Sequence, residues 1–200
     1  MEVKVIGASA SPEFVISTAG RACYKSESTL EPAKEAEFVR KRVKQGHESI
    51  IEHASITYDI SGISRACSHQ LVRHRLASYS QESQRYVDMD GNAEYVIPPE
   101  ISKDKDATAY FLGAMAYMEN TYSLLRGLGI RKEDARYVLP NATQTRIIVT
   151  MNFRELRHFF KVRCDKAAQW EIRELALKML MQAYAISPTV FEDLYNEYVA

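Results

Sequence analysis

The sequence predicts an α+β fold. Helix-forming patterns predominate, the recognisable strands are few, and those strands do not alternate with helices in βαβ fashion. With 46% hydrophobic residues and only 8 Gly and 6 Pro in 200 residues, the chain can bury a sizeable core. That length suits one domain, or one compact subunit of an oligomer, and the composition is not that of a disordered chain.

The elements follow in order. Residues 2–6 alternate weakly and read as a short strand. Glu31 to Lys44 is a charged amphipathic helix ending at Gly46. Ala54 to Ile60 has the alternation and β-branched content of a strand. A helix is expected from Ser61 to about Arg75, followed by a loop-rich segment, 76–100, punctuated by Asp90-Gly91 and Pro98-Pro99. Asp104 to Leu128 reads as a long helix and Lys132 to Val138 as a short one. Thr145 to Thr150 is the best strand in the sequence. Helices are expected over 153–163, 167–185 and 188–198, the last with Ser187 as N-cap and Pro188 at its first position. No internal repeat or linker-like run divides the chain, so a single domain over residues 1–200 is expected.

Lys+Arg and Asp+Glu both number 26, so there is no global field to attract nucleic acid or an anionic membrane, and anion binding has to come from local clusters. MEVKVIGAS lacks the basic start and apolar run of a signal peptide, and no stretch approaches the roughly 20 apolar residues of a membrane span. Cys23, Cys67 and Cys164 are odd in number and far apart, which suggests neither a disulfide framework nor a zinc site. A cytoplasmic protein is the expectation.

The densest polar cluster runs from Arg73 to Tyr86. On a helical wheel Ile63, Cys67, Gln70 and His74 share one face, with Arg73 at its edge. Three serines and Arg85 follow, and guanidinium forks with hydroxyls and loop N–H groups are what a phosphate requires. A solvated helix end, its basic residues complementing the dipole, is the other reading. In a second cluster, Asn152 to Arg163, the stripe Leu156, Phe159 and Phe160 includes Arg163. A guanidinium aimed into a core needs an anion, or an internal salt bridge, to meet it. Arg154 and His158 lie on the opposite face, and Asn152 reads as an N-cap with Glu155 completing a capping box. His47-Glu48 fails the HExxH metal pattern because position 51 is Ile51; another His/Glu arrangement stays open, but no metal site is expected. There is no P-loop and no GxGxxG, so a Rossmann-type nucleotide site is not expected.

Taken in order, these clusters resemble the flavin-dependent (alternative) thymidylate synthases, the ThyX-type family. The family pattern is Arg-His-Arg, seven residues, then Ser, and Arg73-His74-Arg75 with Ser83 satisfies it. Arg85-Tyr86, the upstream GHESIIEH and the downstream arginine-rich helix ending in Gln169-Trp170-Glu171 extend the match, which covers about residues 15 to 195. The resemblance implies a subunit of mixed helices and antiparallel sheet, assembled as a homotetramer with interfacial active sites. It implies reductive methylation of dUMP to dTMP, with methylenetetrahydrofolate as carbon donor, NADPH as reductant of a bound FAD, and tetrahydrofolate as product.

Residue by residue, Arg73, His74 and Arg75 resemble the flavin-contacting motif, with Arg73 also near the nucleotide. Ser49, Gln81, Asn152, Phe153, Arg154 and His158 resemble further FAD contacts, and His47 a lining residue of the flavin and folate pocket. Gln70, Gln81, Glu82, Ser83, Gln84 and Arg85 resemble dUMP contacts, joined by Arg136 from a neighbouring subunit. Arg163 corresponds to the arginine that polarises uracil and favours ionisation at N3. Some members have Asn-Glu at Ser80-Gln81 and Asn at His158; Gln81 keeps hydrogen bonds but not a charge. Rival readings are a non-catalytic flavin- or nucleotide-binding protein on the same fold, an RNA-binding module, and a synthase using a cysteine nucleophile.

Overall fold

Alternation sets the two central strands. In β2 (Ser55–Ser64) Ile56, Tyr58 and Ile60 are buried, and in β4 (Gln144–Asn152) the buried positions are Thr145, Ile147, Val149 and Met151. With β1 (Glu2–Ala8) and β3 (Ala77–Gln81) they form one sheet in the order β1-β2-β4-β3. Around these strands the computed structural model, which describes residues 1–29 and 31–200, places nine α-helices among the described residues. They are α1 (Pro12–Ala22), α2 (Pro32–Lys44), α3 (Arg65–Leu71), α4 (Pro99–Ser102), α5 (Lys105–Gly127), α6 (Lys132–Ala135), α7 (Phe153–Arg163), α8 (Trp170–Ile186) and α9 (Pro188–Tyr198). Short 3₁₀ turns cover Glu48–His53 and Arg136–Val138. Helices with antiparallel sheet, and no Rossmann arrangement, are what the α+β reading requires. No helix among the described residues is long and apolar enough to cross a membrane.

The chain packs as two compact units. The first comprises residues 1–60, 71–79 and 148–200. Its core is aromatic: Phe191 meets Phe153 edge-on at 5.0 Å and Phe160 at 5.8 Å between ring centroids. Ile172, Leu175, Ala176, Met179, Leu180 and Ala183 supply the buried stripe of α8. Helix α1 lies close to α2 because Gly20 has no side chain; a Cβ there would stand 2.7 Å from the Phe38 ring.

The second unit comprises residues 61–70 and 80–147. Tyr122, Met89 and Ala135 form its buried centre, with Ala93, Leu125, Val138 and Leu139 packed against them. The Tyr122 hydroxyl donates to Asp88, which also pairs with Arg126. Asp104 caps α5, its carboxylate accepting the Ala107 N–H at 2.7 Å. Asp104→Ala is therefore expected to lower unfolding free energy by about 1 kcal/mol. Chemical denaturation checks this, and an unchanged midpoint would show the cap to be dispensable.

Four local readings change. The helix expected over 61–75 is split: β2 continues through Gly62, whose φ is +70°, to Ser64. Ser64 Oγ then accepts the Cys67 N–H, so the true N-cap is Ser64 and α3 ends at Leu71, leaving His74 outside any helix. The Tyr79 hydroxyl lies 2.8 Å from both the Leu71 and His74 carbonyls, and the Leu71 carbonyl also accepts the His74 N–H, so the chain is tied down just past the helix end. Strand β3 lies inside the segment expected to be loop, and α1 was not foreseen. At α9 the Ser187 hydroxyl makes no cap; it donates to Glu13, whose carboxylate also accepts the Thr189 N–H and so closes the helix start in its place.

Candidate active site

The first unit holds a hydrogen-bonded chain of three side chains. Asn152 caps α7 as expected, its Oδ1 accepting the Glu155 N–H at 2.9 Å. Glu155 does not return the favour, as a capping box requires. Its carboxylate instead meets His74 Nδ1 at 3.2 Å. On the other side of the ring, Arg163 Nε donates to His74 Nε2 at 3.1 Å. His74 and Glu155 are buried, 6% and 5% exposed, while Arg163 is half-buried. Burial, reinforced by the Arg163 and His158 charges, pushes the His74 pKa down to about 4, so its imidazole is neutral near pH 7. Burial also pushes the Glu155 carboxyl up, against the pull of His158.

His74, Glu155 and His158 place their potential ligand atoms within 4.8 Å of one another, a spacing a metal ion could use. Hydrogen-bond logic favours another use. A metal on Nδ1 would put the proton of a neutral imidazole on Nε2, donor against the donor N–H of Arg163.

Arg73 and Arg75 flank His74 with exposed guanidiniums, and neither has a partner among the described residues. Unpaired guanidiniums on either side of a buried neutral ring suit a phosphate-bearing ligand with an aromatic part. His158 is exposed, its ring centroid 5.7 Å from that of His74. Arg154 is exposed and paired with Glu52. His47 and Ser49 are exposed at the start of the 3₁₀ turn. Phe153 departs from the expected ligand contacts: its ring is fully buried against Phe191, and its N–H is bonded to the Ala54 carbonyl, so its side chain serves the core. On the same helix Arg157 is buried and donates to both Asp193 carboxylate oxygens.

The second unit holds a separate arginine-lined cavity of about 550 Å³, bordered by Arg65, His69, Gln84, Arg136, Tyr137 and Asn141. Arg136 is half-buried and donates through Nε to the Glu133 carbonyl. Arg65 reaches the Glu82 carbonyl at 3.3 Å, and burial together with the Arg136 charge pushes its pKa down. Two like charges facing one cavity make an anion welcome there. Gln81 Nε2 donates to Ser68 at 2.9 Å, so that amide is already engaged within the unit. Ser83 Oγ accepts the Arg85 N–H, and the exposed Arg85 guanidinium lies 3.5 Å from Glu133. Gln70 is half-buried on α3.

Sequence reasoning missed Arg65 and Glu155. Once Ser64 is read as the cap, Arg65 is a cation in the first helical turn, where the dipole disfavours it, and that anomaly marks it. Glu155 was assigned to the backbone by the capping-box pattern. Two of the three cysteines are poorly placed to act as nucleophiles, and the third, Cys23, is exposed at the end of α1. Cys67 is fully buried, and burial pushes the Cys164 thiol up to about 12, far from a thiolate at neutral pH.

The family described as thymidylate synthase complementing protein matches residues 4–189. A flavin-dependent thymidylate synthase of Geobacter sulfurreducens is 46% identical over 200 residues, covering 96% of this chain and 86% of the relative. One from Clostridium tetani is 41% identical over 214 residues, with the same coverage of 96% and 86%. Among solved structures, thymidylate synthase X from Helicobacter pylori with FAD and dUMP superposes with a TM-score of 0.83 at 25% identity, covering 97% of this chain and 99% of that one. The chain belongs to the flavin-dependent thymidylate synthases, the family of the thymidylate synthase complementing proteins.

Proposed function

We propose that the chain converts dUMP to dTMP, with methylenetetrahydrofolate as carbon donor, FAD as bound redox cofactor and NADPH as the source of reducing equivalents. The observation that carries the reading is Arg163, a half-buried guanidinium held on a neutral histidine inside the Arg-His-Arg motif. Its family relatives are named for this activity, and the Helicobacter pylori structure carries FAD and dUMP.

Methylation at C5 needs electron density there, and uracil supplies it when negative charge on its ring is stabilised. A fixed guanidinium in a low-dielectric setting does this without the reorganisation that water would require. Arg163 takes that role, polarising uracil and favouring ionisation at N3. Arg73 and Arg75 hold the FAD phosphates; His74, Asn152, Arg154, His158 and Ser49 complete that cradle, with His47 lining it. When bound, FAD carries the reducing equivalent that the transferred carbon needs to become a methyl group. Gln70, Gln81, Glu82, Ser83, Gln84 and Arg85 take the nucleotide, and the Arg136 cavity takes its phosphate. A homotetramer in which subunits complete one another's sites accounts for Arg136 serving a neighbour, and residues 1–200 act as one catalytic domain.

Tritium release from [5-³H]dUMP tests the reading. With FAD, NADPH and methylenetetrahydrofolate, release and dTMP formation are expected, both dependent on NADPH, with tetrahydrofolate rather than dihydrofolate as product. Turnover that survives complete removal of flavin would sink it.

A further inference from the structure

We propose that Glu155 is a positioning residue for this reaction, fixing through His74 the direction in which Arg163 points its guanidinium. The functional part rests on the reading of Arg163 given above; the hydrogen-bond pattern behind it does not.

Helix α7 carries both ends of the chain of contacts. Glu155 sits in its first turn and Arg163 in its last. At 1.5 Å per residue the two lie about 12 Å apart along the axis, too far to meet directly. His74, from the segment after α3, bridges them: Glu155 to Nδ1 at 3.2 Å, Arg163 to Nε2 at 3.1 Å. Arginine does not deprotonate, so its Nε always presents a proton. His74 Nε2 must therefore be the acceptor, and a neutral imidazole then carries its own proton on Nδ1. That proton faces the Glu155 carboxylate. The tautomer of His74 is thus set from Glu155, as the partner of one ring nitrogen generally sets the state of the other.

Three features hold Glu155 to this task. Asn152 already caps its N–H, which releases the carboxylate from the backbone. The first turn of a helix favours a negative charge. The His74 ring is also confined, with Phe159 against it edge-on at 4.9 Å and His158 tilted at 5.7 Å. Without the carboxylate, a buried Nδ1–H would have no acceptor. The imidazole would relieve this by moving its proton to Nε2, which would then oppose the N–H of Arg163 and push that side chain away. A guanidinium that must meet charge as it develops loses more in the transition state than in substrate binding when it is displaced.

The test uses the full-length, FAD-loaded enzyme. Nitrogen-15 histidine spectra, with the His74 signals assigned through His74→Asn, should show His74 protonated on Nδ1 at neutral pH. In Glu155→Ala the proton should move to Nε2, and kcat should fall about 10- to 100-fold with a much smaller change in KM for dUMP. Glu155→Gln, whose amide oxygen can still accept, should restore the Nδ1 tautomer and most of the lost kcat. Assays run below the unfolding temperature of each variant. A wild-type His74 protonated on Nε2 overturns the proposal, as does a folded Glu155→Ala enzyme with wild-type kcat, or failure of glutamine to rescue. Absence of dTMP formation by the wild type overturns instead the role given to Arg163, and the spectra from the same sample tell the two failures apart.

Discussion

Arg163→Ala is expected to keep its FAD and to lower dTMP formation by about 10²- to 10³-fold, the range for loss of one preorganised group that meets developing charge. The guanidinium lies at the end of α7, and the residues proposed to hold FAD keep their own supports when it is removed. Asn152 remains the N-cap, Arg154 remains paired with Glu52, and Arg73 and Arg75 do not depend on it. The vacated His74 Nε2 becomes a buried acceptor without its donor, which should cost about 1 kcal/mol of stability. Arg163→Lys should recover only part of the activity, because an ammonium has neither the fixed fork nor the Nε–H that meets His74. Flavin absorbance of the purified variants and dTMP formation at saturating substrate measure the two halves separately. A colourless Arg163→Ala protein would assign Arg163 to flavin binding, and wild-type turnover would remove it from the chemistry altogether.

Asp193→Ala should destabilise the first unit by about 2–3 kcal/mol, below the roughly 3–5 kcal/mol of a fully buried ion pair because one partner faces water. The Arg157 side chain is 5% exposed and the Asp193 side chain 59%. Arg157 donates to both carboxylate oxygens, at 2.7 and 2.6 Å, and to the Val190 carbonyl. Its Nε has no hydrogen-bond partner, and Glu48 is 3.9 Å away. Removing Asp193 leaves a buried cation with the Val190 carbonyl and only the more distant Glu48 carboxylate. Removing the charge as well, in Asp193→Ala with Arg157→Met, should regain most of the loss, because an apolar chain fits between Phe153 and Phe160 on the same face of α7. Urea unfolding of the two variants decides it. A single variant within 0.5 kcal/mol of wild type, about the limit for an ordinary surface change, would show that the pair contributes little.

How much of this could be read beforehand depended on whether apolar periodicity carried the information. Strands β2 and β4 were legible because every second residue is buried. Helices α5 and α7 were legible because caps and apolar spacing agree, and α9 because a first-position proline and apolar spacing agree. Helix α1 was not, since its buried positions are Ile16, Ser17 and Gly20, one large apolar residue among three. Strand β3, Ala77–Gln81, has no buried position to betray it. The site divided along the same line. The wheel aimed Arg163 inward correctly, as one long polar chain within an apolar stripe. Glu155 escaped because a local pattern offered its carboxylate a nearby use, and only a residue 81 positions away in sequence supplied the real one. Arg157 escaped because it shares the stripe of Phe153 and Phe160, while its partner lies 36 residues on.

The Glu13 carboxylate that closes the start of α9 makes contacts 174 and 176 residues along the chain, with Ser187 and Thr189. Gln182 reaches back to the Val3 carbonyl across 179 residues. During synthesis these early groups wait, exposed, until residues 182–189 have left the ribosome. The closing of α9 and the seating of β1 against α8 therefore belong late in assembly, after a long loop has been brought together and its entropy lost. Groups made 174 or more residues earlier than their partners are thus among the last to be satisfied.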